Sequence, residues 1–380
     1  ADEMYEWISE KNTWKRVINS IFNINDDILE TPNCDDLIRH IITTANEDYG
    51  WIIKSEGDWI VEPLQHVKAV LNSLGFKPND ANSIIGTSIF KCWQLVNMPF
   101  YPEFPGDRKW NKGAARLKFP PSQKTEELNF PHWEKLLQHC GEGLTGAIKN
   151  NQWAKQNGIN NGADYLMCWI ASLFQEPTEP LPYLFLWGPQ LSGKSILHEA
   201  LSLLVTNGCE RADVALISDS GFNAELENAI ICIIEETDLQ RNRQAYNKIK
   251  DWVTSKLLPI HKKGKTPYQV VNTTHWIQCS NEHTSCPIFP GDTRITMIHV
   301  SPIQDPIPKK IFINKLEKEA SDFLAIILNI ELPQSNDRLN IPVIITDEKM
   351  SIEKSNETAL EAFLKDFCFY IIGEAILYSE

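Results

Sequence analysis

The chain has 380 residues, of which 42% are apolar and 23% charged, with a formal net charge of −14 and a pI near 5.2. That length and apolar share suffice for two or three domains, each with its own core. The acidic balance excludes a surface that is basic everywhere, so any nucleic-acid contact must be local. No uninterrupted apolar run reaches membrane-spanning length and the N-terminus lacks a signal-peptide pattern, which points to a soluble, intracellular type of protein. The nine cysteines are scattered singly, are odd in number and include no C-x-x-C pair, so neither a disulfide framework nor a zinc ribbon is expected.

In chain order, residues 1–44 read as helical, with Trp14, Val17, Ile18, Ile21 and Phe22 on one stripe. Trp51-Ile52-Ile53 and Trp59-Ile60-Val61 flank Ser55-Glu56-Gly57-Asp58, a hairpin signal, before a helix from about Val67 to Leu74. Residues 1–98 would then make a helical, winged-helix-like or collar module. Residues 99–131, rich in proline and charge, read as an ordered linker packed on the domain C-terminal to it. Helices from Trp133 to Phe174 form a lead-in over 132–178, in which Trp153, Tyr165, Trp169 and Phe174 are core residues rather than base-stacking platforms.

The chemistry begins at Tyr183-Leu184-Phe185-Leu186-Trp187, an apolar strand that delivers the chain to Gly188-Pro189-Gln190-Leu191-Ser192-Gly193-Lys194-Ser195. A helical pattern runs on from Lys194 to Thr206. This is the setting of a phosphate-binding loop, whose backbone N–H groups and helix N-terminus face a triphosphate. Lys194 can reach the β- and γ-phosphates, and the Ser195 hydroxyl can ligate Mg²⁺. Ala229 to Glu236 is a continuous apolar run ending in two carboxylates, a buried strand expected beside the loop. Glu235 is assigned to the water shell of Mg²⁺ and Glu236 to polarising the attacking water.

From Trp252 to Asn281 no Asp or Glu occurs. Lys256, His261, Lys262, Lys263 and Lys265 fall in this window, whose middle, Leu257 to Val271, reads as a β-hairpin with a lysine-rich tip suited to a phosphate backbone. Thr274 to Asn281 is a third apolar segment, ending in an amide that could meet the γ-phosphate or the lytic water. His275, Cys279, His283 and Cys286 are metal-type side chains at close spacing, but they lie along this strand and its exit, where packing is the simpler reading. Arg294, in Pro290-Gly291-Asp292-Thr293-Arg294, stands before the strand Thr296 to Val300 and could neutralise charge on a neighbouring subunit's γ-phosphate; the competing role is a pair with Asp292. A helix from Lys310 to Leu328, an extended stretch from Leu339 to Thr346 and a helix around Glu357 to Phe369 complete 306–380, and the abrupt ending at Ile376 to Glu380 reads as a cut from a longer polypeptide.

In this order the loop (188–195), acidic strand (231–236), basic hairpin (256–271), Asn281 strand and Arg294 resemble superfamily 3 helicases, the ring-forming AAA+ motors. The resemblance narrows to the helicase halves of phage primase-helicases through Pro102 to Asn111, Gly221 to Leu226 and Asn272 to Trp276, and covers roughly residues 45–350. It implies an α/β fold with an AAA+ P-loop core over 179–305 and a parallel central sheet, preceded by a mainly helical N-terminal region and followed by a small helical C-terminal one. It also implies ATP and Mg²⁺ as cofactors, single-stranded or forked DNA as partner and a hexameric ring with Arg294 acting across the interface. A primase domain in the same longer polypeptide and a place in the bacterial host cytoplasm are implied by the same resemblance. Glu235 departs from the family, many members of which carry Asp there. A nucleotide-controlled DNA-binding ring or scaffold without unwinding activity and, ranked below it, a P-loop phosphotransferase are the alternative functions.

Overall fold

The computed structural model describes residues 37–357 apart from 44–47, 56, 125–127, 219–220, 241, 265, 334 and 336–337. The expected N-terminal helical stripe, Lys265 and nearly all of the helix expected over 357–369 therefore lie outside the described residues. The chain divides into two compact units, one of residues 1–97 with 101–112 and the other of 98–100 with 113–380.

The first unit contains β1 (Ile38–Ile42), β2 (Asp48–Ser55), β3 (Asp58–Glu62), α1 (Leu64–Ser73), α2 (Pro78–Phe90), β4 (Trp93–Leu95) and β5 (Lys109–Trp110). They build a mixed five-stranded sheet in the order β3-β2-β1-β4-β5. The described part of this region is thus a sheet carrying two helices, not a mainly helical module. The expected hairpin is present: Ser55 pairs Asp58 and Ile53 pairs Ile60 across a turn where Gly57 takes φ +100°. Alternation along β2 sends Trp51 and Ile53 to the helix face with Val67, Leu71, Ile84 and Ile85, while Ile52 joins Ile41 and Trp110 on the other face. Pro78 at the first turn of α2 supplies a preset φ and needs no hydrogen-bond acceptor there.

The second unit opens with α3 (Pro131–Gly141), a short turn (Glu142–Leu144), α4 (Thr145–Asn150), α5 (Gln152–Gln156) and α6 (Gly162–Gln175). The central elements are β6 (Tyr183–Trp187), α7 (Ile196–Leu204), β7 (Cys209–Arg211), α8 (Asp213–Ile217), β8 (Ile231–Glu235) and α9 (Arg243–Trp252). After these come β9 (Leu257–Ile260), β10 (Tyr268–Val271), β11 (His275–Ser280), β12 (Ile295–His299), α10 (Lys309–Ile327) and α11 (Asp347–Ser355).

Strands β12-β6-β11-β8-β7 form one five-stranded sheet in which every neighbouring pair is parallel. Parallel strands joined through helices are covered on both faces, so their sequences are apolar throughout. On β6, Leu184 and Leu186 face a cluster with Trp133, Trp169 and Phe323; Tyr183 and Phe185 face another with Ile249, Trp252 and Trp276. Each such side chain removed from water contributes roughly 1.5–3 kcal/mol before the entropy of ordering it. Tyr165, Trp169 and Phe174 are buried in the first cluster and Trp153 packs against it, as their spacing predicts. Among the described residues no helix is long and apolar enough to cross a membrane.

Candidate functional site

β6 ends at Trp187 and the chain turns at Gly188, where a Cβ would stand 2.2 Å from the Val300 carbonyl oxygen. Only glycine lets the loop leave the sheet so close to the exit of β12. The loop then passes through left-handed Leu191 (φ 65°) and Gly193 (φ +84°) before α7 begins. Leu191 is 87% exposed, whereas Ser192 is fully buried and its carbonyl accepts from His139 Nε2 at 2.7 Å. Lys194 Nζ donates to Gly188 O (3.1 Å), Pro189 O (3.2 Å) and Asn281 Oδ1 (2.9 Å), so the ammonium is folded back under its own loop. Burial lowers its pKa from the ordinary lysine value.

The sequence expects the acidic strand beside the loop. β11 in fact lies between β6 and β8, so that Asn281 leaves the sheet between the loop and the carboxylates. Lys194, Ser195, Glu235, Glu236, Ser280 and Asn281 nevertheless line one cavity of about 160 Å³. Parallel register explains the convergence: Ser280 pairs Trp187 and Cys279 pairs Glu235, so three strands end at one level.

The two carboxylates differ in state. Glu235 is clamped, with Oε1 accepting from His198 Nε2 at 2.9 Å and Oε2 from Arg211 Nη1 at 3.0 Å. Asp213 braces the same point, its carboxylate accepting from Arg211 Nε at 3.0 Å, from the Glu235 N–H at 3.1 Å and from the Thr237 hydroxyl at 2.6 Å. Burial pushes the Asp213 pKa up, but these bonds outweigh it and hold the carboxyl below its usual range. Glu236 sits at φ 54°, in the left-handed region that costs a non-glycine residue energy, and its side chain makes no hydrogen bond or ion pair among the described residues. Neither His198, Arg211 nor Asp213 stood out in the sequence; a histidine on α7 facing the acidic strand was the available signal.

Arg294 stands apart from this cluster. Ile295 pairs Tyr183 at the start of β6, while Gly188 lies just past the end of that strand. Five residues at ~3.3 Å each place Arg294 roughly 16 Å from its own loop. The competing pair with Asp292 is not formed: Asp292 Oδ1 accepts the backbone N–H groups of Arg294 (3.1 Å) and Ile295 (2.9 Å) and pairs with Lys349 at 3.0 Å. The Arg294 guanidinium instead donates from Nε to Lys250 O at 3.1 Å.

β9 and β10 form the expected hairpin, Tyr268 pairing Ile260 and Val271 pairing Leu257. Lys256 and Lys263 are exposed on it. Lys262 is engaged by Glu227, which also accepts from the Tyr268 hydroxyl, so an acid distant in sequence enters a window that is acid-free by itself. His261 packs on Phe222 at 4.7 Å and its N–H donates to Asn223 Oδ1 at 2.8 Å. His275 lies buried with ring nitrogens 3.0 and 3.3 Å from the Ile230 and Glu179 carbonyls. Among the described residues no three His, Cys, Asp or Glu side chains are grouped to hold a metal ion. A second cavity of about 420 Å³, which no motif revealed, adjoins the loop at Gly193 and Ile196 and is walled by Leu136, His139, Ile303 and Phe312.

Comparison with known proteins adds a fold and a partial match to one family model. The model of a family of unknown function, DUF5906, matches residues 186–294, the span from the end of β6 to Arg294. No curated protein matches the chain. The apo structure of the NrS-1 C-terminal region (305–718) is similar with a TM-score of 0.58 at 18% identity, covering 86% of this chain and 74% of that one. Two A-form apo structures of the same region give TM-scores of 0.57 and 0.58 at 19% identity with the same coverage. At this identity the likeness establishes the shared α/β fold.

Proposed function

We propose that the chain is a nucleoside-triphosphate-driven DNA motor, a helicase or translocase that hydrolyses ATP between the subunits of a ring. One observation carries the reading: Lys194, Ser195, Glu235, Glu236 and Asn281, gathered from three separate strand ends, face a single cavity at the exit of a parallel sheet. Ligands of open parallel sheets bind at that edge, and a phosphate loop there presents N–H groups and a helix N-terminus to an anion. The likeness in fold to the NrS-1 C-terminal region is consistent with it.

In this reading a triphosphate draws Lys194 away from the loop carbonyls and Asn281, replacing neutral acceptors by charged ones. Ser195 would hold Mg²⁺, which neutralises phosphate charge when bound, with Glu235 in its outer shell. Glu236, whose carboxylate makes no hydrogen bond or ion pair among the described residues, accepts the proton of the attacking water, and Asn281 orients that water or the γ-phosphate. The cavity at Gly193 and Ile196, apolar on the Leu136, Ile303 and Phe312 side, takes the base. Lys256 and Lys263 grip DNA phosphates without regard to sequence. Phosphate release from ATP, with and without single-stranded DNA, tests the proposal. Wild type should turn over ATP faster with DNA and Lys194→Ala should not turn it over at all; full turnover in Lys194→Ala refutes the site.

A further inference from the structure

The sheet of the first unit ends in two edge strands of opposite character. At one side β5 is two residues long and follows left-handed Asp107 and Arg108, so it offers little backbone to a further strand. At the other side β3 runs over Asp58–Glu62 and pairs only β2 among the described residues. It contains no Pro, Lys or bulge, the usual devices that keep an edge from pairing, and its charges stand at its two ends. We propose that β3 is a docking edge for an extended segment of a partner protein, with cationic residues flanking an apolar middle, which joins the sheet as an added strand.

The backbone of β3 is turned for such pairing. The Lys54 N–H donates to the Leu37 carbonyl at 3.0 Å, so Lys54 gives its polar backbone groups to β1. Trp59, which pairs Lys54 across the β2–β3 ladder, and Val61, which pairs Ile52, therefore send their N–H and C=O groups away from β2. None of these outward groups is hydrogen-bonded among the described residues. The side chains beside them are open as well: Ile60 is 44% exposed, Val61 40% and Leu64, just past the strand, 37%. An exposed apolar strip along unpaired amides is a template for strand addition.

Charge and register select the occupant. Asp58, Ile60 and Glu62 lie on one face of the strand and Trp59 and Val61 on the other. Asp58 is exposed and forms no ion pair among the described residues, and Glu62 has His66 Nδ1 at 2.8 Å. Lys54 is exposed on β2 but belongs to the Trp59 face. A second copy of the chain fits poorly: antiparallel pairing of β3 with itself sets Asp58 against Glu62 at both ends, and parallel pairing sets each acid near its twin. A foreign strand with cations opposite Asp58 and Glu62 and an apolar residue opposite Ile60 complements the acidic face. β-branched or aromatic residues between them cover Trp59 and Val61.

The test uses the full chain without nucleotide or DNA, so its outcome is independent of the motor reading. Fluorescein-labelled peptides, Lys-Thr-Ile-Thr-Lys and Glu-Thr-Ile-Thr-Glu between glycines, are titrated by fluorescence anisotropy at low and high salt. The cationic peptide is expected to bind saturably and at least about tenfold more tightly than the acidic one, an advantage that shrinks as salt rises. Val61→Pro, which removes an outward N–H and leaves the β2–β3 ladder intact, should weaken binding of the cationic peptide at least about tenfold. Val61→Lys keeps that N–H but adds a repelling charge, and should weaken it at least about threefold. Where Val61→Pro lowers the melting temperature by more than about 5 °C, Val61→Lys carries the test. Asp58→Asn combined with Glu62→Gln should bring the two peptides to within about threefold of each other. No saturable binding of the cationic peptide by about 1 mM, equal affinity for both peptides, or binding unchanged in the Val61 variants overturns the inference. Self-association of the wild type that Val61→Lys abolishes overturns it too, assigning the edge to a second copy.

Discussion

Glu235 and Glu236 are adjacent in sequence yet are held in opposite ways. Glu235 accepts a hydrogen bond from His198 and pairs with Arg211, whereas Glu236 occupies a left-handed conformation and its carboxylate lines the cavity with no hydrogen bond or ion pair among the described residues. A carboxylate held by two donors is fixed in place, and strain of about 1–3 kcal/mol at the next residue persists only where the surroundings impose it. The role proposed for Glu236 as base draws on this contrast. Glu236→Gln should keep nucleotide affinity within a few-fold and lower the hydrolysis rate by about 10²–10⁴. Equilibrium binding beside single-turnover phosphate release measures both; a parallel loss in the two would mean that Glu236 acts on binding instead.

At the scale of elements, the hairpin β9–β10 shows how a local reading of charge is altered by tertiary structure. Its lysines were legible because the window around them lacks acids, but Glu227, from the turn before β8, takes Lys262 and Tyr268 together. Pairing leaves Lys263 as the exposed described cation at the tip and withholds Lys262 from an incoming phosphate. Glu227→Gln removes the competing charge and keeps the side-chain shape. Single-stranded DNA should then bind more tightly at low salt, with the slope of log affinity against log salt steeper by up to about one unit, as one further phosphate contact requires. An unchanged slope in a salt titration would mean that Lys262 stays on Tyr268 or faces away from the strand.

Over the whole molecule, what could be read from sequence tracked burial. β6, β8 and β11 are continuous apolar runs because both faces of a parallel sheet are covered, and the breaks in apolarity after them, at Gly188, Glu235 and Asn281, pointed to the candidate site. The first unit escapes a sequence reading because Ile38, Ile41 and Ile42 also suit a helical stripe, and what makes them a strand is pairing with residues of β2 from Asp48 to Ile53 and with Trp93 and Gln94 of β4. Helix α11 escapes it because its most informative residue, Lys349, looks like a surface lysine and is buried only through Asp292, 57 positions away. Buried histidines are equally silent, and they govern the response of the fold to acid. Burial holds the pKa of His275 below its ordinary 6.5, and does the same for His198 against the opposing pull of Glu235. Both remain neutral in the folded chain at a pH where the unfolded chain takes up protons. Stability contributed by these groups is therefore fully present above 6.5 and is lost as pH falls from there toward their depressed folded values. The carboxyl of Asp213, already held below 3.8, adds its own loss only in a much more acidic range. Melting temperature measured from about pH 7.5 to about pH 5 should be flat at first and then decline, and His275→Gln, which cannot titrate, should reduce the decline. An identical slope in His275→Gln would assign the acid response to other groups.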